Sequence, residues 1–336
     1  MLERERTQPI ELCDARGRLH PDAIGWSRRP DLTANLSRAW GRKKRWDYWC
    51  VITDELVVSF VYADIDYAGL ANVWVLHTPT GRQTTAGTLV PLGRGFSLPD
   101  RVCTGTVHVE HKGFSLTIDE RADHTALRAH GTSLDGPIAI DIRVDKPADH
   151  ESLNVVVPWS RRRFQFTSKQ NSRAATGTVT ALGTTHELSN DRDAWAVQDL
   201  GRGVWKYSNR WNWAAGSGRS AEGRLVGLQF GAKWTAGTGA TENALCIDGR
   251  LSKLSEELEF TYRWDDPMQP WTIRGEQVEL TLTPTFDRYD VTDLKVLKME
   301  VHQCFGTWSG RIVDAHGGTH HLDGVRGFAE EARNRW

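Results

Sequence analysis

Residues 199–214 read DLGRGVWKYSNRWNWA, and this stretch carries the prediction of the fold. Successive side chains of a β-strand point to opposite faces. As a single strand, the stretch therefore presents four large aromatic rings and one amide to a single space. These side chains belong to Trp205, Tyr207, Asn209, Trp211 and Trp213. Barrel interiors are usually aliphatic, so a wall of indole and phenol rings indicates a cavity for a large apolar or cationic molecule.

The sequence on both sides of this stretch alternates in the same way. From Trp46 onward apolar residues recur at every second position, as at 56–66, 71–78 and 138–145, with Gly, Asp and Asn between the runs. Helical periodicity is scarce, and the best helix candidate is FAEEARNRW at 328–336. Many short strands favour an all-β sandwich or barrel. We predict an all-β fold of two tandem lipocalin-like (calycin-like) antiparallel β-barrels with a short C-terminal helix.

The same patterns predict where the chain divides. We expect an N-terminal arm over 1–45, a first barrel over 46–160 and a second barrel over 161–336. The locally basic segment 28–46 has two interpretations. It is either a solvated arm that packs Trp26 and Trp40 onto the body, or an anion-binding lip.

Composition excludes several classes of partner. The 336 residues include 42 Lys and Arg against 43 Asp and Glu, which gives a formal net charge of −1. Such a balance supplies no overall attraction to nucleic acid or to an anionic membrane. No apolar run approaches the ~18 residues of a membrane-spanning helix, and the charged start MLERERTQPIEL has no signal-peptide pattern. We expect no nucleic-acid partner, no stable membrane insertion and a cytoplasmic location, with the oligomeric state open.

The five cysteines are scattered and form no CxxC pair. Their pattern indicates neither a disulfide framework nor a cysteine zinc site, and fits reduced thiols. Motifs of the types GxSxG, GxxxxGK[ST] and HExxH are absent. We therefore expect no metal and no external cofactor.

One candidate constellation lies in FVYADIDYAG at 60–69, where Tyr62, Asp64 and Asp66 share a strand face. Two carboxylates at i and i+2 repel, which raises the pKa of at least one of them. A protein can keep a carboxylic acid protonated near neutral pH in this way. Alternatively the strand ends at Ala63 and both aspartates are turn residues.

A second constellation begins the aromatic stretch. Arg202 can pair with Asp199, because a planar guanidinium suits a carboxylate, and the pair is either functional or a salt bridge at a barrel corner. Gly201 and Gly203 permit a bulge or a close approach of another group to the backbone.

Further candidates lie toward the C-terminus. Glu242 and Asn243 precede a strand, and Asn243 either orients a ligand carbonyl or forms a turn. His302 is either a base beside the aromatic cavity or a structural residue. Trp74 is one more candidate for ligand contact.

The chain resembles the family of domain of unknown function 2804 (DUF2804). The resemblance rests on GRKKRWDYW at 41–49, ADIDYAG at 63–69, DLGRGVWKYSNRWNWAAGSG at 199–218 and the C-terminal blocks. That family is similar, more remotely, to the AttH and carotenoid 1,2-hydratase (CrtC-like) proteins. The resemblance implies two lipocalin-like barrels and a mid-chain Trp–Asp…Trp–Gly signature, to which Asp199 and Trp205 are similar. Gln198, which stands where that signature has an apolar residue, is a departure.

Three hypotheses about function follow. In the first, the protein is an enzyme that hydrates, isomerises or cyclises a hydrophobic isoprenoid-, lipid- or polyketide-like molecule. Protonated Asp199, or one of Asp64 and Asp66, is then the acid, and Asn209 or Asn243 holds water or a carbonyl. The rings of the stretch would stabilise positive charge by about 2 kcal/mol. In the second, the protein is a non-catalytic lipocalin-like lipid carrier or sensor; in the third, the tryptophans fill two cores.

Overall fold

The structure is a computed structural model that describes residues 3–189, 193–293, 295 and 297–336. Most of the described residues lie in strands, with one 3-10 turn at Pro21–Ala23. The strands are β1 Ile10–Glu11, β2 Gly25–Ser27, β3 Leu32–Thr33, β4 Lys43–Ile52, β5 Leu56–Asp64, β6 Ala68–His77, β7 Arg82–Pro91, β8 Thr106–His111, β9 Phe114–Glu120, β10 His124–Ser133, β11 Gly136–Asp145, β12 Leu153–Ser160, β13 Arg163–Ala181, β14 Thr184–Leu188, β15 Trp195–Val204, β16 Ser208–Arg219, β17 Leu225–Ala232, β18 Asn243–Ile247, β19 Arg250–Leu254, β20 Glu259–Thr261, β21 Trp271–Arg274, β22 Val278–Asp293, β23 Lys298–Val313 and β24 Thr319–Arg335. No helix in this described part is long and apolar enough to cross a bilayer.

The first sheet curls into a nearly closed barrel. Its strands follow the order β7-β6-β5-β4-β15-β13-β11-β10-β9-β8, with β12 and β14 also paired to the long strand β13. Its interior is aliphatic and aromatic, as the alternation at 138–145 predicts: Ile138, Ile140 and Ile142 are buried in it, whereas Asp141 is exposed.

The second sheet is a half-barrel with the order β19-β18-β17-β16-β24-β23-β22-β21-β20. Its concave face has a separate core that includes Leu228, Phe230 and Trp308. The prediction of an all-β fold with two antiparallel barrel-type units is thus confirmed.

The chain passes from one sheet to the other at residues 205–207. Strands β13 to β15 belong to the first sheet, although the alternation predicted residues 161–204 as part of the second barrel. The prediction that 199–214 forms one strand is wrong, because β15 ends at Val204 and β16 begins at Ser208. The quoted stretch is therefore the crossing between the two sheets.

The predicted C-terminal helix is also wrong. Residues 328–335 are the end of β24, which hydrogen-bonds to β16 on one side and β23 on the other. Ala, Glu and Arg favour helices in isolation, but tertiary contacts routinely override such a preference. Here pairing on both edges and burial on both faces hold the segment as a central strand.

The two sheets pack face to face. Cys50, Trp74 and Val197 of the first sheet share one buried cluster with Phe305 and Phe328 of the second. The Trp74 and Phe305 rings stack with 5.6 Å between their centroids. We call this region the inter-sheet layer, and it contains the polar site described next.

Candidate active site

Four buried ionisable side chains meet in the inter-sheet layer. The Nζ atom of Lys169 on β13 lies 3.0 Å from Asp199 Oδ2 on β15 and 3.3 Å from Glu242 Oε1 just before β18. Glu330 on β24 approaches from the second sheet, where the charges of Lys169 and Asp199 influence its pKa. Charges in a protein interior are costly unless they are paired or neutralised, so this cluster needs a physical explanation.

Strand register explains why these groups meet. Tyr48, Asp199 and Lys169 are directly opposite one another on β4, β15 and β13, and so form a row across the first sheet. On the second sheet Glu330 is opposite Trp213 on one side and Gln303 on the other. The hydrogen bond from Gln303 Nε2 to Tyr48 Oη, 3.3 Å long, joins the two rows.

Asp199 is held by three donors. Besides the Lys169 ammonium, Trp46 Nε1 donates to Oδ2 at 3.2 Å and Thr167 Oγ1 donates to Oδ1 at 3.3 Å. An ionised carboxylate can accept all three. Burial lowers the pKa of Lys169, but the two carboxylates outweigh burial and raise it, so Lys169 stays charged.

Glu330 has a different environment. Trp211 Nε1 donates to its Oε1 at 2.8 Å and Gln303 Nε2 to its Oε2 at 3.0 Å, and neither donor carries a charge. Burial raises the pKa of Glu330 to about 7, although the Trp211 hydrogen bond and Lys169 oppose the shift. The site thus contains a carboxylate paired with a lysine beside a carboxyl group whose pKa is raised to about 7.

Glu242 belongs to the charged cluster, whereas the side chain of Asn243 has a structural role. Burial raises the pKa of Glu242, and Lys169 partly offsets that effect. Asn243 is the first residue of β18, so the predicted turn there is wrong. Its amide is held by backbone groups of other segments: its Oδ1 accepts from Gly231 N and its Nδ2 donates to the Glu256 carbonyl, both at 2.9 Å.

Trp205 lies at the centre of a packed group of indole rings. Its centroid is between 4.9 and 5.8 Å from the centroids of five others. We call the six residues the tryptophan cluster: Trp46, Trp159, Trp205, Trp211, Trp234 and Trp336. The rings fill the space between them rather than surround a ligand-sized hollow. Since Trp46 and Trp211 also donate to Asp199 and Glu330, the cluster covers one side of the charged site.

The other rings of the predicted wall have separate positions. Trp213 lies in the site, where its ring is 4.1 Å from Lys169 Nζ and its Nε1 donates to Gln229 Oε1 at 2.9 Å. Tyr207 is 43% exposed, and Asn209 donates to the backbone carbonyl of Lys206. The wall is split because the chain changes sheets within the stretch.

A small cavity adjoins the site beside Lys169 and Gln229. Its volume of about 10 Å³ is at the lower limit for one water molecule. A larger molecule requires the side chains that line this cavity, such as Leu153 and Leu251, to move apart.

Asp64 and Asp66 lie at a turn, as the alternative interpretation of the sequence predicts. Asp64 is the last residue of β5, and its Oδ1 accepts from the backbone N–H of Asp66 at 2.9 Å. Asp66 has a φ of 72° and accepts from the backbone of Gly41 and Lys43. The predicted shared carboxylate face does not exist, because the chain turns between the two residues. Tyr62 is in the first barrel, where its Oη donates to the His108 carbonyl.

The proposed pairing of Arg202 with Asp199 is wrong. Arg202 Nη2 lies 2.8 Å from Asp47 Oδ1, because residues three apart on a strand point to opposite faces. The close approach predicted at Gly201 is confirmed: a Cβ there would lie 2.2 Å from the Trp46 ring. Glycine at 201 therefore lets Trp46 reach Asp199.

His302 is outside the site. It is opposite Glu331 in the β23–β24 ladder, on the concave face of the half-barrel, and its Nδ1 is 2.8 Å from Asp287 Oδ2. Trp74 is in the inter-sheet layer, with Arg288 Cζ 4.5 Å from its ring.

Sequence reasoning missed several residues of the site. Lys169, Trp46, Tyr48, Gln303 and Glu330 were not among the candidates. Lys169 carried no distinguishing signal, since it shares a strand face with Gln165 and Thr167, opposite Phe164 and Phe166, and such a polar face is usually solvated. Glu330 had none once its segment was assigned to a helix.

Known structures resemble this chain in fold. Kievitone hydratase from Nectria haematococca is 13% identical, with a TM-score of 0.55 over 88% of this chain and 89% of that chain. A structure described as AttH from Nitrosomonas europaea has 12% identity and a TM-score of 0.46, covering 86% and 92%. CghA with Sch210972 has 10% identity and a TM-score of 0.44, covering 89% and 90%. At these identities the likeness concerns the fold, and the first of them supports the assignment of tandem lipocalin-like barrels.

No curated protein matches the sequence. The family model described as Domain of unknown function (DUF2804) matches residues 3–336. This chain therefore belongs to the DUF2804 family.

Proposed function

We propose that this protein binds a hydrophobic small molecule in the inter-sheet layer and catalyses its acid-assisted hydration, isomerisation or cyclisation without a cofactor. The observation that carries the proposal is Glu330: a buried carboxyl group whose pKa is raised to about 7, beside the Lys169–Asp199 ion pair. A general acid works best when its pKa lies near the working pH. The contacts favour Glu330 as this acid rather than Asp199, which is held by three donors.

The neighbouring groups suit the steps that follow protonation. Glu330 would give its proton to a carbon of a double bond, which forms a C–H bond and leaves a cationic centre. The faces of Trp213 and Trp211 would stabilise that cation, a contact worth about 2 kcal/mol or more when desolvated. In hydration, a water beside Lys169 would form the C–O bond and pass its proton to Asp199. In isomerisation, the cation would instead lose a proton from a neighbouring carbon to Asp199. In both reactions Asp199 would release its proton to water and Glu330 would take one up from water, which restores the starting state.

The ligand would occupy space that is closed in this conformation. The tryptophan cluster makes ring-to-ring contacts at its centre, so binding requires displacement of some of those rings. The similarity of fold to a hydratase, at 13% identity, is compatible with this chemistry and supports no more than that.

A matched pair of variants tests the proposal. Glu330→Gln removes the acid and keeps the shape, whereas Glu279→Gln makes the same change at an exposed position on β22. Turnover of isoprenoid and polyketide-like compounds in ¹⁸O-labelled water, followed by mass spectrometry, would report hydration and rearrangement. We expect Glu330→Gln to lose turnover while it still quenches or shifts tryptophan fluorescence on ligand binding. Unchanged turnover would exclude Glu330 as the acid.

A non-catalytic lipid carrier or sensor is the second candidate. The pairing of Lys169 with two carboxylates favours it, since the ion pairs could serve only to hold the sheets together. This alternative predicts ligand binding with no turnover in any variant. A chain that responds to no apolar ligand would instead have a purely structural tryptophan cluster.

A further inference from the structure

A group of arginines lies at one end of the first sheet, outside the candidate active site. It comes from three segments that meet there: the loop at 14–18, the loop at 37–42 and the turn between β12 and β13. Two contacts show that the segments are adjacent. Arg38 Cδ lies 3.0 Å from the position of a Cβ on Gly17, and Arg161 Nη2 lies 3.2 Å from Asp14 Oδ2. We call this surface the basic face; its arginines are Arg16, Arg18, Arg38, Arg161, Arg162 and Arg163.

The basic face carries an excess of positive charge. Among the residues that the structure describes, Arg161 is the one of these six whose side chain pairs with a carboxylate, that of Asp14. The remaining guanidinium groups are concentrated at one end of a chain whose net charge is −1. An uneven distribution of this kind attracts an anionic partner even when the total charge is near zero.

Exposed aromatic side chains accompany the arginines. Trp40, on the same loop as Arg38, is 69% exposed, which is unusual for an indole. Tyr207 is beneath Arg42, with 5.0 Å from the guanidinium carbon to the ring centroid, and Lys206 is 5.3 Å from the Trp159 ring. Indole and phenol rings favour the headgroup level of a bilayer, and arginines beside them favour anionic lipids.

We propose that the basic face docks on an anionic lipid surface, with Trp40 at the level of the headgroups. The exposed indole beside cations favours a bilayer over a highly hydrated polyanion. The face also borders the tryptophan cluster, since Trp336 N donates to the Tyr207 carbonyl at 2.9 Å. Docking would therefore place that cluster against lipid, from which an apolar ligand could be drawn. This delivery role rests on the proposed function, whereas the docking does not.

Co-sedimentation with vesicles tests the docking without any ligand. The probes are vesicles of phosphatidylcholine alone and of phosphatidylcholine mixed with phosphatidylglycerol, each at low and high salt. The test variant is Arg38→Glu with Arg162→Glu. Its matched control is Arg219→Glu with Arg274→Glu, which makes the same change in charge at exposed positions on the opposite end of the second sheet.

We expect the wild type and the control to bind the anionic vesicles at low salt and to release them at high salt. Each cation at an anionic surface contributes roughly fivefold in affinity. The test variant should therefore bind at least about tenfold more weakly. Equal loss in the control, equal binding to neutral vesicles, or no binding by the wild type would overturn the proposal.

Two further comparisons identify the partner. Trp40→Ala should weaken vesicle binding, whereas Leu134→Ala, which removes another exposed apolar side chain at the far end of the first sheet, should not. Tighter binding to a DNA duplex than to anionic vesicles at the same salt would overturn the lipid assignment. Vesicle binding that persists in a chain without turnover would leave the docking correct and the proposed function wrong.

Discussion

Replacement of Glu330 by Gln should change how the stability of the protein depends on pH. Glu330 is buried, with 7% of the residue exposed, and the pKa of its carboxyl group is raised to about 7 from an ordinary value of 4.5. The folded state therefore holds a proton that the unfolded state releases at lower pH. The raised pKa makes the contribution of this group to stability largest below about pH 4.5, and the contribution is lost as the pH rises through about 7.

The magnitude follows from the shift. Each pKa unit corresponds to about 1.36 kcal/mol, so a shift from 4.5 to about 7 corresponds to about 3 kcal/mol. Relative to the wild type, Glu330→Gln should gain about that amount of stability between pH 5 and pH 8. The neutral amide has no proton to lose, and its oxygen can accept from Trp211 as the carboxyl group does.

The assay is urea denaturation, followed by far-ultraviolet circular dichroism, at intervals across that range of pH. The quantity to compare is the difference in unfolding free energy between the two proteins, because titrating groups that do not interact with Glu330 contribute equally to both and cancel. Glu279→Gln is the control and should follow the wild type at every pH. A difference that stays constant with pH would refute the raised pKa of Glu330 and remove the main support for its role as an acid.

Three further outcomes follow from the same contacts. Lys169→Met leaves Asp199 and Glu242 buried without their cation and should lower the free energy of unfolding by roughly 3–5 kcal/mol, measured by urea denaturation at neutral pH. Part of this loss should be recovered in acid, because the carboxylates are then protonated. A loss below about 1 kcal/mol would contradict the pairing. Gly201→Ala places a methyl group 2.2 Å from the Trp46 ring and should lower the free energy of unfolding by about 1–3 kcal/mol. Gly218→Ala is the control and should lower it less in the same measurement, because the nearest neighbour there is a side-chain atom at 3.3 Å. His302→Gln should leave turnover unchanged, since His302 faces away from the inter-sheet layer; a large loss would mean that the reaction takes place in the half-barrel.

Alternation predicted much of the fold, because it reports directly which side of a strand is buried. It identified the all-β class and the inward residues of β11. It could not predict which strands share a sheet: β15 pairs with β4, whose residues lie about 150 positions earlier, through backbone hydrogen bonds that leave no local pattern. The break after Val204 was equally invisible, since the aromatic residues continue their alternation across it.

The candidate site was predicted in part, for similar reasons. Asp199, Glu242 and Trp213 were recognised because each stands out within its own segment. Their partners come from distant strands, and Lys169 meets Asp199 only through the register of β13 and β15. Glu330 was hidden because local helix preference misled the assignment of its segment. Asp64 was wrongly included, because a turn interrupts the expected face.

The position of β15 has a consequence for how the chain is made. Residues 195–204 form the centre of the first sheet, between two strands that precede them in synthesis. Until a ribosome has released this segment, β4 and β13 each lack a neighbour, and the emerging chain carries two unpaired strand edges of the kind that invite aggregation. A fragment that stops near residue 160 lacks strands of the first sheet and should therefore fold poorly. A fragment that extends to Val204 contains every strand of that sheet.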